Sequence, residues 1–432
     1  MKRLVLAFLA TSLVQLTGFA SGILLARLLI PSLRGEVAQI IAWFSFIASI
    51  MILGINDSVT YYRSRQQVEG RDAVSAALIL LVPLAALSIL FCLLVIRFVF
   101  ADLSTPTLAA AWLFLLFPPL YQLQQILNAY FQSDANALAW TAIRVVPGLV
   151  YICGLILAAM LGQVDPFMVV AANLAGLALM IAVSGCIFWF SGDRLARPSS
   201  ATVGRVLRFG LPTVVQRIAS ACRDVLDRMA LPFFITSAAL GHYVVASSTA
   251  YLIYVAGITI DLVGFPAMAR AADDAARRRI AELLISVTFC VLIALVTALA
   301  LICKPVVLFL FGKEYESAAS LVPWFLVAGA AQALRIVISG AFKAFNLSSV
   351  MARFELVSAA IMVAVLFGTG ARLEVYAGVV AHLVSALVAL AMALYAAVVV
   401  LKLSPQHIFL PRRAELIRAF ASFVAAFRAA KT

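Results

Sequence analysis

The sequence predicts an all-helical integral membrane protein with about twelve transmembrane helices, arranged as two parallel lobes of six. Three observations predict this. Hydrophobic residues make up 65% of the 432 residues and charged ones only 12%, so most of the surface suits lipid rather than water. The apolar runs are continuous instead of alternating, which argues against membrane strands. Short motifs recur at a spacing of 205 to 211 residues, which doubles a six-span unit.

A span needs about 20 apolar residues. Counting runs gives 4–30, 37–62, 74–100, 107–132, 138–162, 166–191, 206–234, 239–268, 280–310, 318–344, 348–371 and 374–402. The first, "MKRLVLAFLATSLVQLTGFASG", imitates a signal peptide. Its apolar run continues through "ILLARLLI" with no small-x-small cleavage site, so it reads as a retained helix. The longer runs imply tilted or projecting helices. Pro118, Pro119, Pro147, Pro212 and Pro266 lie within or beside spans, where each removes a backbone hydrogen bond and favours a kink. The six cysteines all fall in apolar runs and form no CxxC pair, which suits packing better than disulfide or metal chemistry.

Lysine and arginine set the orientation. With the N-terminus in the cytoplasm, 21 of the 32 basic residues fall on the cytoplasmic side, 6 on the other side and 5 inside spans. Both termini are therefore expected inside. A net charge of +13 would suit nucleic acid, but its placement in short loops is the pattern of membrane topology, and no nucleic acid is expected as a partner. No connection exceeds about 15 residues, which leaves no room for a soluble catalytic domain. In the tail, Leu416, Ile417, Phe420, Phe423, Val424 and Phe427 share one helical face, which predicts a surface helix lying on membrane lipids.

The repeat supplies the domain organisation. "LLARLLIPSLRGEVAQI" resembles "LDRMALPFFITSAALGHYVVA", with Gly35 matching Gly241, and "ILNAYFQSDANALAW" resembles "VISGAFKAFNLSSVM". Two six-span copies share one orientation, which places a substrate path between them. The expected organisation is a lobe over 1–191, a basic cytoplasmic linker over 192–205, a second lobe over 206–402 and a cytoplasmic tail over 403–432.

Span seven carries Arg217, Arg223, Asp224, Asp227 and Arg228. Five charges facing lipid would cost on the order of 12–17 kcal/mol, so this helix must face protein or water. Arg217, Asp224 and Arg228 fall on one face. Asp224–Arg228 and Arg223–Asp227 are spaced for pairing, whereas Arg217 has no carboxylate four residues away. Arg144 and Arg335 are also unpaired locally, and Asp57, Asp261 and Glu355 are the other acids within spans. These charges fit either structural ion pairs or a hydrated cavity with a positive bias. In the second case Arg217, Arg144, Arg335, Arg223 and Arg228 are candidates to hold an anionic substrate. Gln124, Gln125 and Asn128 are candidates for sugar hydroxyls, with interhelical hydrogen bonding as the plainer alternative. Asp57, Asp224 and Asp261 are candidates for coupling to H⁺ or Na⁺. His382 reads as a packing residue. No cofactor or metal is expected.

Four stretches carry a family resemblance: "RVLRFGLPTVVQ", "LGHYVVASSTAYLIYVAG", "LFLFGKEYESAASLVPWFLVAG" and "GILLARLLIPSLRGEVAQI". They resemble bacterial polysaccharide-biosynthesis membrane proteins of the multidrug/oligosaccharidyl-lipid/polysaccharide exporter superfamily. One departure is "PSLRGEV", with Val37 where the family usually has an aromatic residue. The resemblance implies a V-shaped, MATE-like pair of lobes in the bacterial cytoplasmic membrane. It also implies flipping of an undecaprenyl-diphosphate-linked oligosaccharide between leaflets, with glycan polymerase and chain-length proteins as partners. Such an activity breaks no bond, so no enzyme is expected. A multidrug cation antiporter on the same fold would need an acid-dominated cavity, and a non-transporting scaffold of a glycan assembly complex is the third reading.

Overall fold

The computed structural model describes residues 2–64, 69–133, 137–162, 164–190 and 198–409. Among these it contains helices and turns and no strand. The first half of the chain forms α1 (Lys2–Leu28), α2 (Pro31–Met51), α3 (Ile55–Ser64), α4 (Glu69–Phe98), α5 (Thr105–Leu113), α6 (Phe117–Ser133), α7 (Ala137–Met160) and α8 (Pro166–Phe190). The second half forms α9 (Ser200–Ala230), α10 (Ser237–Ala269), α11 (Asp274–Leu301), α12 (Cys303–Phe311), α13 (Val322–Ala344), α14 (Ser348–Leu373), α15 (Val375–Val399) and α16 (Pro405–Phe409).

Among the described residues, ten helical segments are long and apolar enough to cross a membrane. The other two of the twelve expected spans are α1, whose described apolar stretch is Leu13–Leu28, and α9. The charges of α9 lower its hydropathy, but its 31 residues reach about 46 Å. The chain is thus a multi-pass membrane protein. The surface helix expected in the tail falls on 410–432, outside the described residues.

Three spans that the sequence draws as continuous are broken. The second divides into α2 and α3 at Ile52–Gly54, where Leu53 (φ 49°) and Gly54 (φ 70°) adopt left-handed backbone that stops a right-handed helix. The fourth passes through a 3-10 turn at Phe114–Leu116 just before Pro118 and Pro119, since the prolines cannot continue the hydrogen-bond ladder. The ninth breaks at Ile302 (φ −109°) before α12. Another difference lies at the start of α9. Ser199 caps that helix by accepting from the Thr202 amide at 3.2 Å, so helix begins inside the segment read as a linker.

Contacts divide the chain into two compact units: 1–245 with 307–318 and 363–378, and 246–306 with 319–362 and 379–432. In the first unit, aromatic side chains pack α2 on the α4–α5 loop and on the turn before α6: Phe44 lies against Phe100 and Phe114 with ring centroids 6.2 and 5.5 Å apart, and Phe114 stacks on Phe117 at 4.5 Å. Helix α9 packs against α2, α3 and α4 and so belongs to this unit. Within it, Gly35 and Gly241 meet. A Cβ on Gly35 would overlap the Ser237 carbonyl, and one on Gly241 would overlap the Pro31 carbonyl. In the second unit, α11 packs on α13 and α16, and Glu282 accepts from the Ser404 amide at 2.7 Å.

Candidate functional site

The break between α2 and α3 positions a polar cavity of the first unit. Gly54 lies against α9 so closely that an added Cβ would come 2.5 Å from the Gly210 carbonyl oxygen. Ser58, fully buried, donates to the Val206 carbonyl at 2.8 Å. The first turn of α3 is thereby pressed against α9, and that turn carries Asn56 and Asp57. Arg217 Nη2 donates to Asp57 Oδ2 at 2.6 Å and to Asn56 Oδ1 at 2.8 Å. The carboxylate that sequence spacing does not supply to Arg217 comes from another helix. The pair is 23% (Arg217) and 44% (Asp57) exposed, so water reaches both partners.

Beside the pair is a cavity of about 660 Å³. Arg217, Asp57 and Asp224 give it its charge, and Ser45, Ser49, Thr213, Ser220 and Tyr121 line it with hydroxyls. Two carboxylates against one guanidinium is a different balance from the positive bias that a count along the helices suggests. Asp224 also accepts from Arg223 Nε at 3.2 Å. Asp227, 2% exposed, accepts from the Tyr243 hydroxyl at 2.6 Å and from the Arg228 amide at 2.8 Å, which makes it a packing element of α9 against α10.

The other candidates lie elsewhere. Arg144 stacks over the Trp140 ring at 4.6 Å. Arg335, buried in the second unit, is ion-paired with Glu355. Asp261 faces Lys343 at 3.8 Å in the same unit, and its Oδ1 is buried without a hydrogen-bond partner. His382 Nε2 lies 3.1 Å from Gln332 Nε2 and packs on Phe325. Gln125 donates to the Tyr121 hydroxyl at 2.7 Å and so reaches the cavity through Tyr121. Gln124 is half-buried, and the side-chain oxygen of Asn128 is buried without a partner. Sequence reasoning did not single out Asn56, Tyr121 or the serines of the cavity. The signal for Asn56 was present in "GINDS", since glycine followed by Asn-Asp is a turn signal even inside an apolar run. Among the described residues no cluster of His, Cys, Asp and Glu could hold a metal ion.

The sequence matches the family described as polysaccharide biosynthesis protein over residues 24–320. The chain belongs to that family. No curated protein matches it significantly. Among solved structures it is similar to the lipid II flippase MurJ in an inward closed conformation (TM-score 0.76, 14% identity, 94% of this chain and 89% of that one). It is also similar to an inward-facing multidrug resistance MATE family transporter of the MOP superfamily (0.72, 14%, 90% and 95%). A third likeness is the eukaryotic MATE transporter AtDTX14 (0.60, 14%, 92% and 95%). The polysaccharide biosynthesis family member thus shares the all-helical fold of these MurJ and MATE structures, as the sequence predicts.

Proposed function

We propose that this protein translocates an undecaprenyl-diphosphate-linked oligosaccharide from the cytoplasmic to the periplasmic leaflet of the bacterial cytoplasmic membrane by alternating access. The two sequence-related lobes rock about the substrate, and both termini face the cytoplasm. It cleaves no bond and so acts as a carrier, in series with enzymes that build and polymerise the glycan.

One observation carries this reading: Arg217 stands in a hydroxyl-rich cavity held by side chains, Asp57 and Asn56, that are exposed enough to let go. A guanidinium bonds a diphosphate through two parallel N–H donors. The diphosphate would displace Asp57, and the cavity serines and threonine would meet the first sugar. The test is flipping of a fluorescent undecaprenyl-diphosphate glycan in proteoliposomes. Wild type should equilibrate it between leaflets and Arg217→Ala should not. Equal rates at matched incorporation would sink the reading.

A second reading is a multidrug cation antiporter. It is favoured by Asp57 and Asp224, which outnumber Arg217 in the cavity. In that case a lipophilic cation should be transported and competed by protons, and removing Arg217 should improve its binding.

A further inference from the structure

Arg34 is a buried cation with no acceptor. It lies in the first two turns of α2, 3% exposed, with Nε and Nη1 both lacking a hydrogen-bond partner. A guanidinium cannot shed its charge by losing a proton, and an uncompensated buried charge is among the costliest groups a fold can hold. The carboxylate closest to Arg34 in sequence, Glu36, is committed elsewhere and accepts from Ser104 and Thr107 at 2.5 Å each. The titratable groups that act on Arg34 are Tyr315, Tyr151 and Arg228, and of these only Arg228 carries charge, of the same sign.

The start of α2 adds a second, independent feature. Its N-cap is Ile30, which has no side-chain acceptor to offer the free amides of the first turn, and Ile is a poor cap for that reason. Helical side chains lean toward the N-terminus, so Arg34 reaches back over that same end. A 21-residue helix presents partial positive charge there.

We infer that Arg34 and the amino end of α2 form a binding site for a phosphate-class oxyanion, separate from the Arg217 cavity. The cavity's lining on α2 begins at Ser45, about 16 Å farther along the helix. The source of the anion is either the diphosphate of the lipid-linked substrate after it leaves Arg217 or free phosphate from solution. The first source rests on the proposed function. On the proposed topology this end of α2 faces the periplasm, which makes the site a station on the release side. It is closed here: the Tyr315 hydroxyl donates to the Leu29 carbonyl at 2.9 Å, and Arg27 donates to the carbonyls of Phe309 and Leu310. These bonds tie the α1–α2 turn to the segment around Tyr315, and they must part for an anion to enter.

The test measures thermal unfolding and binding of the full chain in nanodiscs, with sodium pyrophosphate and with undecaprenyl phosphate as probes. Pyrophosphate should raise the melting temperature of the wild type. Arg34→Met should remove that increment without lowering the melting temperature of the ligand-free protein, because an apolar isostere relieves the unpaired charge. Arg34→Lys should weaken binding about tenfold, since Lys lacks the paired donors. Tyr315→Phe should speed association. Competition by undecaprenyl phosphate in the wild type assigns the site to the lipid headgroup, and its absence assigns the site to free anion. An unchanged pyrophosphate increment in Arg34→Met overturns the inference. The flipping assay of Arg217→Ala is independent of this outcome, so failure here leaves the proposed function standing.

Discussion

Arg217 and Asp57 bond at 2.6 Å across 160 residues of chain, and the bond exists because α2 stops short. A continuous second span would carry Asp57 through as one more interior position of a straight helix. The break at Leu53–Gly54 starts a new helix there, and Asp57 and Asn56 then face α9 from its first turn. On the proposed function, anion capture at Arg217 is therefore an exchange of one carboxylate for a diphosphate.

That exchange fixes the behaviour of the Arg217 series. Each charge-assisted hydrogen bond contributes about 1.5–3 kcal/mol, so losing one weakens substrate binding roughly tenfold to a hundredfold. Arg217→Ala should abolish glycan flipping while the membrane level of the protein stays near normal. Arg217→Lys should restore part of the rate. The measurement is the initial flipping rate normalised to protein content. A full rate in Arg217→Ala would remove the cation from the mechanism.

The break itself can be tested by two glycines with the same backbone and different surroundings. Gly54 (φ 70°) faces Thr213 and the Gly210 carbonyl, whereas Gly162 (φ 67°) has nothing within 4 Å of an added Cβ. Gly162→Ala should cost only the left-handed penalty of about 1–2 kcal/mol. Gly54→Ala should cost more, because the backbone of α9 must also move. It should further disturb the Asp57–Arg217 bond and slow flipping. Equal losses of stability in the two variants, by denaturant or heat in detergent, would mean that the break has no tight fit against α9.

Much of this arrangement was legible in the sequence. Run lengths and basic residues gave the spans, because lipid imposes a simple apolar rule on every helix. The register that matched Gly35 to Gly241 identified two positions that touch. Charge crowding on α9 marked the helix that lines the cavity. Pairing was harder to read, because helical spacing sees only partners on the same helix. Asp57 for Arg217 and Glu355 for Arg335 both come from other helices. The unwound turn at Leu53–Gly54 was hidden by the apolar residues around it, and Arg34 looked like an ordinary loop cation until its burial was seen.

Topology gives a prediction independent of the site. On the proposed orientation, which rests on the excess of Lys and Arg, the segment around Lys313 and Glu314 would lie outside and Arg277 inside. Burial pushes the Tyr315 hydroxyl up to about 12, so it stays protonated and holds Leu29 throughout the range in which labelling is done. An impermeant thiol reagent applied from the periplasm should modify a cysteine placed at Lys313 or Glu314 and leave one at Arg277 untouched. Labelling at Arg277 from that side would invert the orientation.

If substrate takes Arg217 as proposed, the carboxylate it releases offers a place for a coupling ion. Once a diphosphate holds Arg217, Asp57 is left beside added negative charge, which favours taking up H⁺ or Na⁺. Substrate and ion should then bind together, and each should raise the other's affinity by the same factor. Asp57→Asn removes both the competitor for Arg217 and the ion's ligand. It should bind the lipid-linked substrate more tightly than wild type and flip it at a rate indifferent to imposed proton and Na⁺ gradients. Asp224→Asn, which leaves the Arg217 pair intact, should keep the wild-type gradient response. Asp261→Asn, in the second unit beside Lys343, serves as the comparison for a carboxylate far from Arg217. The decisive experiment measures flipping in proteoliposomes with each gradient imposed and collapsed. A wild type that ignores both gradients ends the coupling proposal, and loss of coupling in Asp261→Asn but not in Asp57→Asn moves it to the second unit.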